Sequence, residues 1–182
     1  MNQSEKILTE IEKLAEKQFL PIVGSEKGKI LERFVKKRKP KIVLEIGTLV
    51  GYSAIRIARN LEEDAKLICV EVNARLAEIA KENISNAGLN NVKIIVGDGK
   101  KVVGTLKNKF DLVFIDALKE EYLDYLKAVE DKLSEKAVIV ADNAGVFAQQ
   151  MEDYLDYVKN SGKYRSKTYQ VYGDAMEVSV KV

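Results

Sequence analysis

The segment KIVLEIGTLVGYS, residues 41–53, joins an apolar stretch to two glycines and the start of a helix-periodic stretch. Its first part, 41–47, is rich in Val, Ile and Leu, which is typical of a strand that helices cover on both faces. Gly47 permits a positive φ at the turn, and a helix opening at Gly51 offers free N–H groups to an anionic group. The segment therefore predicts a strand, a tight turn and a helix that can hold a ligand. A plain turn with glycines for packing is the alternative.

The same alternation continues outward from this segment. Further strand-like segments follow at 66–72, 92–98, 110–116 and 137–142. Helix-periodic segments alternate with them at 51–61, 74–87, 119–133 and 147–160. Strands that alternate with helices predict an α/β fold with a Rossmann-like, doubly wound, mostly parallel sheet.

The two ends of the chain add further elements. Two helices are expected before the first strand, one over 3–19 and one from an N-cap at Ser25 to about residue 38. The tail predicts two strands, 165–171 and 175–182, joined by Gly173-Asp174, a dipeptide that suits a hairpin turn. Such a hairpin makes the last strand antiparallel.

Composition limits the possible chemistry. The chain has 182 residues, of which 46% are hydrophobic and 32% are charged, with a net charge of +2. The length predicts one domain over 1–182. Within it, N-terminal helices in 1–39 are expected to pack over the ligand side of a sheet core in 40–182. The small net charge implies no general attraction to nucleic acid or membranes. The sequence has no His, which excludes a Ser-His-Asp triad and a His-ligated zinc, and its single Cys, Cys69, excludes an internal disulfide.

The N-terminal region and the hydropathy pattern bear on location. Residues 1–14 are charged every few positions, unlike a signal peptide, and no apolar run approaches the ~18–20 residues of a membrane span. We therefore expect a cytoplasmic protein with no membrane association. The abundance of Lys and Glu favours a thermophilic source.

Acids at the ends of the next two strands suit a nucleoside. Glu71 ends the second strand, where a carboxylate can accept both ribose hydroxyls; a solvent-exposed acid is the alternative. Asp98 ends the third strand and could accept from an adenine amino group or N-cap a helix that begins near Gly99. The turn has G-x-x-x-G spacing, with Leu49 where a dinucleotide fingerprint has its middle Gly, which argues against a nicotinamide-dependent oxidoreductase.

Polar residues also follow the fourth and fifth strands. Asp116 and Lys119 follow one strand, and Asp142-Asn143 follow the other. Ligands bind at this edge of open α/β sheets. Two carboxylates and an amide oxygen suit a hard cation such as Mg²⁺, Mn²⁺ or Ca²⁺. Two helix N-caps are the alternative interpretation.

These motifs resemble the class I S-adenosylmethionine-dependent O-methyltransferases, in particular the metal-dependent catechol and caffeoyl-CoA type. They are Val23-Gly24-x-x-Lys27-Gly28-Lys29, Leu44-Glu45-Ile46-Gly47 through Gly51-Tyr52-Ser53-Ala54, Phe114-x-Asp116-x-x-Lys119 with Tyr122, and Ala141-Asp142-Asn143. The resemblance extends from about residue 19 to the C-terminus. It implies a seven-stranded sheet of order 3-2-1-4-5-7-6 with helices on both faces.

The resemblance also implies roles for individual residues. S-adenosylmethionine would be bound by Val23, Glu45, Gly47, Thr48, Leu49, Ser53, Glu71, Val72, Asp98, Gly99 and Asp116. Mg²⁺ or another hard divalent cation would be bound by Asp116, Asp142 and Asn143, and Lys119 would be the catalytic base beside Asp116. This chemistry is coherent, because an in-line methyl transfer depends on positioning and a bound cation stabilises an ionised hydroxyl. A cation would also lower the pKa of a nearby Lys, which is otherwise near ~10.4.

The acceptor is less defined. The catechol enzyme has a His-Trp pair where this chain has Ala117-Leu118, and no acidic counterpart for its second-hydroxyl contact lies between Tyr169 and Gly173. Pro21 replaces a flexible apolar residue, so an open pocket for a hydroxylated aromatic molecule is expected. A tRNA hydroxyuridine acceptor, near the basic run 36–39, is a second hypothesis. A non-catalytic cofactor-binding domain is a third, and a homodimer is an expectation from the family.

Overall fold

The computed structural model describes residues 2–182. Within that range seven strands form one sheet. The strands are β1 Ile42–Ile46, β2 Lys66–Glu71, β3 Val92–Val96, β4 Phe110–Ile115, β5 Leu133–Ala141, β6 Tyr164–Val171 and β7 Asp174–Lys181. The α-helices are α1 Gln3–Lys17, α2 Gly24–Arg38, α3 Tyr52–Ala58, α4 Ala74–Asn86, α5 Gly99–Thr105, α6 Tyr122–Val129 and α7 Glu152–Asn160. Short 3-10 turns, Lys119–Glu121 and Glu130–Lys132, flank α6.

The strand order is β3-β2-β1-β4-β5-β7-β6. The five strands from β3 to β5 pair in parallel, whereas β7 pairs antiparallel with both β5 and β6. This confirms the predicted doubly wound sheet and its order. The antiparallel strand follows from the hairpin, because a tight turn can join only antiparallel neighbours.

Helices cover both faces of the sheet, which explains the continuous apolar strands. Val43 of β1 packs in a core with residues of α1, α2 and α3, such as Leu31 and Ile55. The next residue, Leu44, points to the opposite face and packs with residues of α5, α6 and α7. Alternating side chains of one strand therefore supply two cores.

The boundaries of several elements differ from the sequence expectations, and three examples illustrate the causes. Val23 and not Ser25 is the N-cap of α2, because the chain enters the helix through Gly24 at φ +74°. Helix α7 begins at Glu152 and not at 147, since residues 144–151 form a run of turns, which starts where Ala144 N bonds to Ala175 O of β7. Strand β5 begins at residue 133, ahead of the expected 137, with an irregularity in its pairing to β4.

The carboxyl ends of the parallel strands meet at one edge, and the chain stays hydrogen-bonded as it leaves them. Gly47 N donates to Val70 O, Asp116 N to Ile46 O, and Asp142 N to Ile115 O. These bonds place the residues after β1, β4 and β5 side by side. Over residues 2–182, no helix combines the length and apolar character needed to cross a bilayer.

Candidate active site

A cavity of about 540 Å³ opens at this edge of the sheet. It brings together thirteen of the fourteen residues that the sequence assigned to a site: Val23, Gly47, Thr48, Leu49, Ser53, Glu71, Val72, Asp98, Gly99, Asp116, Lys119, Asp142 and Asn143. Glu45 is the exception. The lining that the sequence did not assign includes Pro21, Tyr52, Leu118, Glu121, Tyr125 and Phe147.

The turn after β1 packs closely against the backbone that follows β4. Gly47 has φ +87°, and a Cβ there would lie 2.1 Å from Asp116 O, so only glycine fits. Glu71 is 6% exposed, and its Oε2 accepts from Thr48 N at 3.1 Å and Leu49 N at 2.8 Å. The alternative of a solvent-exposed Glu71 is therefore wrong. Its carboxylate holds the turn while it lines the cavity.

Glu45 lies beneath this turn and outside the cavity lining. Its side chain alternates with its neighbours in β1 and points to the α3 face, where Thr48 Oγ1 donates to Oε2 at 2.9 Å. The residue is fully buried, and this burial raises the pKa of its carboxyl to about 7. The sequence analysis expected Glu45 to contact a cofactor directly. The structure instead buries its carboxyl outside the cavity lining.

The Glu45 carboxyl should make stability depend on pH. Between the unfolded pKa of 4.5 and the folded value of about 7, the folded chain holds a proton that the unfolded chain has lost. We expect its contribution to the free energy of unfolding to fall by about 3 kcal/mol as pH rises through this window. Urea unfolding at pH 5, 6, 7 and 8 should show Glu45→Gln gaining stability relative to the parent as pH rises.

A matched control exists at the opposite end of the sheet. Burial opposes ionisation of Asp111, but bonds from Ser134 and from the Ile42 and Lys41 amides outweigh it and lower the pKa of that carboxyl. The stability difference between Asp111→Asn and the parent should therefore stay constant from pH 5 to 8. A constant difference for Glu45→Gln would contradict the assignment.

On the adenine side of the predicted site, Asp98 has both positions that the sequence analysis offered, as a helix N-cap and as a residue that faces the ligand. Asp98 Oδ1 accepts from Lys100 N at 2.9 Å, so Asp98 does N-cap α5, and it lines the cavity as well. A Cβ on Gly99 would lie 2.9 Å from Ile46, which leaves space only for glycine. Val72 and Leu118 expose 73% and 64% of their surface at the mouth and offer apolar contact to a flat ring.

Lys119 projects into the cavity from the 3-10 turn after β4. Its Nζ donates to Asp116 Oδ1 and to Tyr122 OH, each at 2.9 Å. Tyr122 is fully buried at the start of α6, so its hydroxyl is a fixed acceptor. The ammonium of Lys119 is therefore held beside the Asp116 carboxylate.

Asp142 has a partner that the sequence did not assign. Lys27 Nζ donates to Asp142 Oδ2 at 2.7 Å and lies 2.7 Å from Oδ1, yet Oδ1 receives no well-directed hydrogen bond from the described residues. Asp142 is 1% exposed, and burial together with the nearby Asp116 carboxylate raises the pKa of Asp142 to about 7. Lys27 lies in the motif 23–29, but its spacing alone did not reveal this contact.

Asp174 is a second residue that the sequence analysis missed, since there it belonged only to a turn. Its Oδ2 accepts from Lys27 Nζ at 2.8 Å and from Asn143 Nδ2 at 2.9 Å. Burial opposes its ionisation, but these bonds and those from backbone amides outweigh it and hold the pKa of Asp174 well below its usual range. Asp174 therefore remains a carboxylate across the physiological range.

The donor set fits a hard divalent cation. Asp116, Asp142 and Asn143 line the same part of the cavity and present carboxylate and amide oxygens, which Mg²⁺ and Mn²⁺ prefer. The unbonded Asp142 Oδ1 is a buried acceptor that such a cation would satisfy. No cluster of three His, Cys, Asp or Glu side chains suited to a metal occurs in residues 2–182, so the set depends on the Asn143 amide.

Comparisons with known proteins agree with this geometry. The family model described as O-methyltransferase matches residues 2–162. Catechol O-methyltransferase from Mus musculus is 34% identical over 172 residues, which cover 90% of this chain and 64% of that protein, so this chain spans less than two thirds of its length. Catechol O-methyltransferase from Sus scrofa is 34% identical over 82% of this chain and 84% of its own.

Solved structures give the same result. The O-methyltransferase TomG from Streptomyces achromogenes, in complex with SAM, has a TM-score of 0.89 and 25% identity, covering 97% of this chain and 89% of that chain. An O-methyltransferase from Bacillus cereus, in complex with SAH, has a TM-score of 0.87 and 25% identity, covering 97% and 91%. From its sequence match and its fold together, the chain belongs to the O-methyltransferase family.

Proposed function

We propose that this protein transfers the methyl group of S-adenosylmethionine to a hydroxyl of a catechol-like small molecule, assisted by Mg²⁺. The observation that carries the proposal is that one cavity holds both the Gly47 turn with Glu71 and the group Asp116, Lys119, Asp142 and Asn143. The first set suits the cofactor and the second suits a cation and a proton. The names of the curated relatives, catechol O-methyltransferases, support the choice of acceptor.

The cofactor would lie along the carboxyl ends of β1, β2 and β3. Gly47 and Ser53, at the start of α3, line the cavity and would receive the methionine end. Glu71 would accept from the ribose, while Asp98, Gly99 and Val72 would surround the adenine. Glu71 also holds the turn, so the ribose and methionine subsites are joined through one carboxylate.

The cofactor supplies a sulfonium methyl group, and the cation supplies a positive charge that stabilises an ionised hydroxyl. Asp116, Asp142 and Asn143 would hold the cation. Lys119, after its ammonium has given one proton to solvent, would accept the hydroxyl proton on Nζ and return to the ammonium form that pairs with Asp116. Tyr122 OH would keep Nζ directed into the cavity while the charge of Lys119 changes. Much of the rate enhancement in such a transfer comes from holding the two reactants close together in the correct orientation.

The acceptor side of the cavity is apolar and open. Pro21 and Phe147 line it, and the centroid of the Phe147 ring lies 5.9 Å from Lys119 Nζ. A flat aromatic ring can pack against these side chains with its hydroxyls toward Lys119 and the cation ligands. This arrangement favours a small hydroxylated aromatic acceptor.

A tRNA acceptor is the second candidate, and one surface feature favours it. A shallow groove along α2 is lined by Lys29, Arg33, Lys36 and Lys37. Several cations on one helix face are suited to phosphate contacts.

Four further expectations from the sequence stay predictions. They are the single domain over 1–182, the cytoplasmic location, the thermophilic source and the homodimer.

Transfer of labelled methyl from S-adenosylmethionine tests the proposal. The acceptors are a catechol panel and bulk tRNA, each with Mg²⁺ and with EDTA. We expect label to be transferred to a catechol in the presence of Mg²⁺, and we expect this transfer to be abolished by EDTA. Label in tRNA alone would move the function to RNA modification, and label in neither would overturn both acceptor assignments.

A further inference from the structure

We propose that Asp174 is a positioning residue for the cation site, which orients the amide of Asn143 directly and the carboxylate of Asp142 through Lys27. This inference rests on the cation site of the proposed function. It gives a role to a residue at the start of β7, outside the cavity lining, for which the reaction has no direct use.

Asp174 uses all of its acceptor capacity to join three segments. Oδ2 accepts from Lys27 Nζ at 2.8 Å and from Asn143 Nδ2 at 2.9 Å. Oδ1 accepts from Gly145 N at 3.2 Å and Val146 N at 3.0 Å. A carboxylate has about four lone-pair sites, and four donors occupy them. The carboxylate therefore ties α2, the segment after β5 and β7 together.

The bond to Asn143 decides which end of its amide faces the cavity. Because Nδ2 is committed to Asp174, the Oδ1 atom is the end left for a cation. A half-turn of the amide would present an NH₂ group, which cannot bind a cation. The backbone of Asn143 is held at φ +62°, a left-handed conformation, so the side chain starts from a fixed direction.

The close approach of the two segments leaves little freedom around this bond. A Cβ on Gly145 would lie 2.8 Å from the backbone of Asp174 and of Ala175. Only glycine therefore lets the loop after β5 reach Asp174. The geometry holds Asn143 and Asp174 at a fixed separation, as an orienting contact requires.

Lys27 links Asp174 to the second carboxylate of the cation site, Asp142. Its ammonium lies between Asp174 and Asp142, and the side chains of all three are at most 15% exposed. Asp174 thus fixes Lys27, and Lys27 in turn fixes the Asp142 carboxylate. Partners of metal ligands usually contribute about 10–100-fold in metal affinity.

The test is Mn²⁺ affinity, measured by the loss of the free Mn²⁺ EPR signal in the whole chain. We expect Asp174→Asn to bind Mn²⁺ about 10–100-fold more weakly than the parent, because in either orientation of the new amide its NH₂ group would face two donors, on one side Lys27 and Asn143 and on the other the Gly145 and Val146 amides. The affinity of the variant for S-adenosylhomocysteine, measured by calorimetry without metal, should equal that of the parent. This result would show that the variant is folded. Asp111→Asn is the control, since Asp111 also binds two backbone amides, at the far edge of the sheet.

A reciprocal exchange separates orientation from stability. In the double variant Asn143→Asp/Asp174→Asn, donor and acceptor change places, and a carboxylate oxygen still faces the cation. We expect this variant to bind Mn²⁺ at least as tightly as Asn143→Asp alone, which gives the cation the same added carboxylate but sets it against the Asp174 carboxylate. A double variant that binds Mn²⁺ more weakly than Asn143→Asp would show that only the Asp174 charge matters and would overturn the proposal.

Failure of this inference differs from failure of the proposed function. A parent chain that binds no Mn²⁺ would remove the cation site and this proposal with it. A parent that binds Mn²⁺, together with an Asp174→Asn variant of equal affinity, would overturn the role of Asp174 alone. Equal weakening in Asp111→Asn would also overturn it, since that residue is remote from the cavity.

Discussion

Replacing Asp142 with Asn is expected to lower Mg²⁺-dependent methyl transfer to a catechol by about 10³-fold, because bound cations contribute several kcal/mol and each 1.36 kcal/mol is a factor of ten. Asp142 is buried, and an amide there would present one oxygen without a charge. The measurement is kcat/KM at saturating S-adenosylmethionine. Affinity for S-adenosylhomocysteine should remain, since Asp142 bonds Lys27, whereas Glu71 holds the turn through Thr48 N and Leu49 N.

Glu71→Gln is the matched comparison for this prediction. It removes a carboxylate from the same cavity, but one that accepts from Thr48 N and Leu49 N. We expect it to weaken S-adenosylhomocysteine binding and to leave Mn²⁺ affinity unchanged. An equal loss of cofactor affinity in Asp142→Asn and Glu71→Gln would show that the two carboxylates do not have separate roles.

Lys119→Met should lower kcat by about 10²–10⁴-fold, the range that a positioned general base contributes. Met keeps the length of the side chain and removes the group that contacts Asp116 and Tyr122. Single-turnover rates with enzyme in excess would report the chemical step. The affinities for S-adenosylhomocysteine and Mn²⁺ should change little, because the ligands for both remain.

Lys100→Met provides a control for loss of a lysine near the cavity. Lys100 Nζ also pairs with a carboxylate, Glu121 at 2.8 Å, but it is outside the cavity lining. Its kcat should match that of the parent. A Lys119→Met rate equal to the parent rate would remove Lys119 as the base, and a similar fall in both variants would point to general charge effects.

Much of the fold followed from local patterns. Continuous Val, Ile and Leu in 41–47 and 110–116 predicted strands buried on both faces, and the structure places their residues in two cores. Element ends were less predictable, because contacts distant in sequence override local preference. The start of α7 at Glu152 shows this, since residues 144–146 bond to β7 and are followed by turns up to residue 151.

The sequence by itself determined the order of the strands and the group of polar residues at their carboxyl ends, because parallel strands must present those ends at one edge. Only the tertiary structure decided how those residues are held. Lys27 reaches Asp142 and Asp174 across separations of 115 and 147 residues, which no local pattern reports. It also decided that Glu45 points away from the cavity into the core, since the pleat of β1 and the packing of α3 set that direction. The residue types in the sequence thus identified the candidate groups. The packing of segments distant in sequence determined the partners of these groups and their protonation.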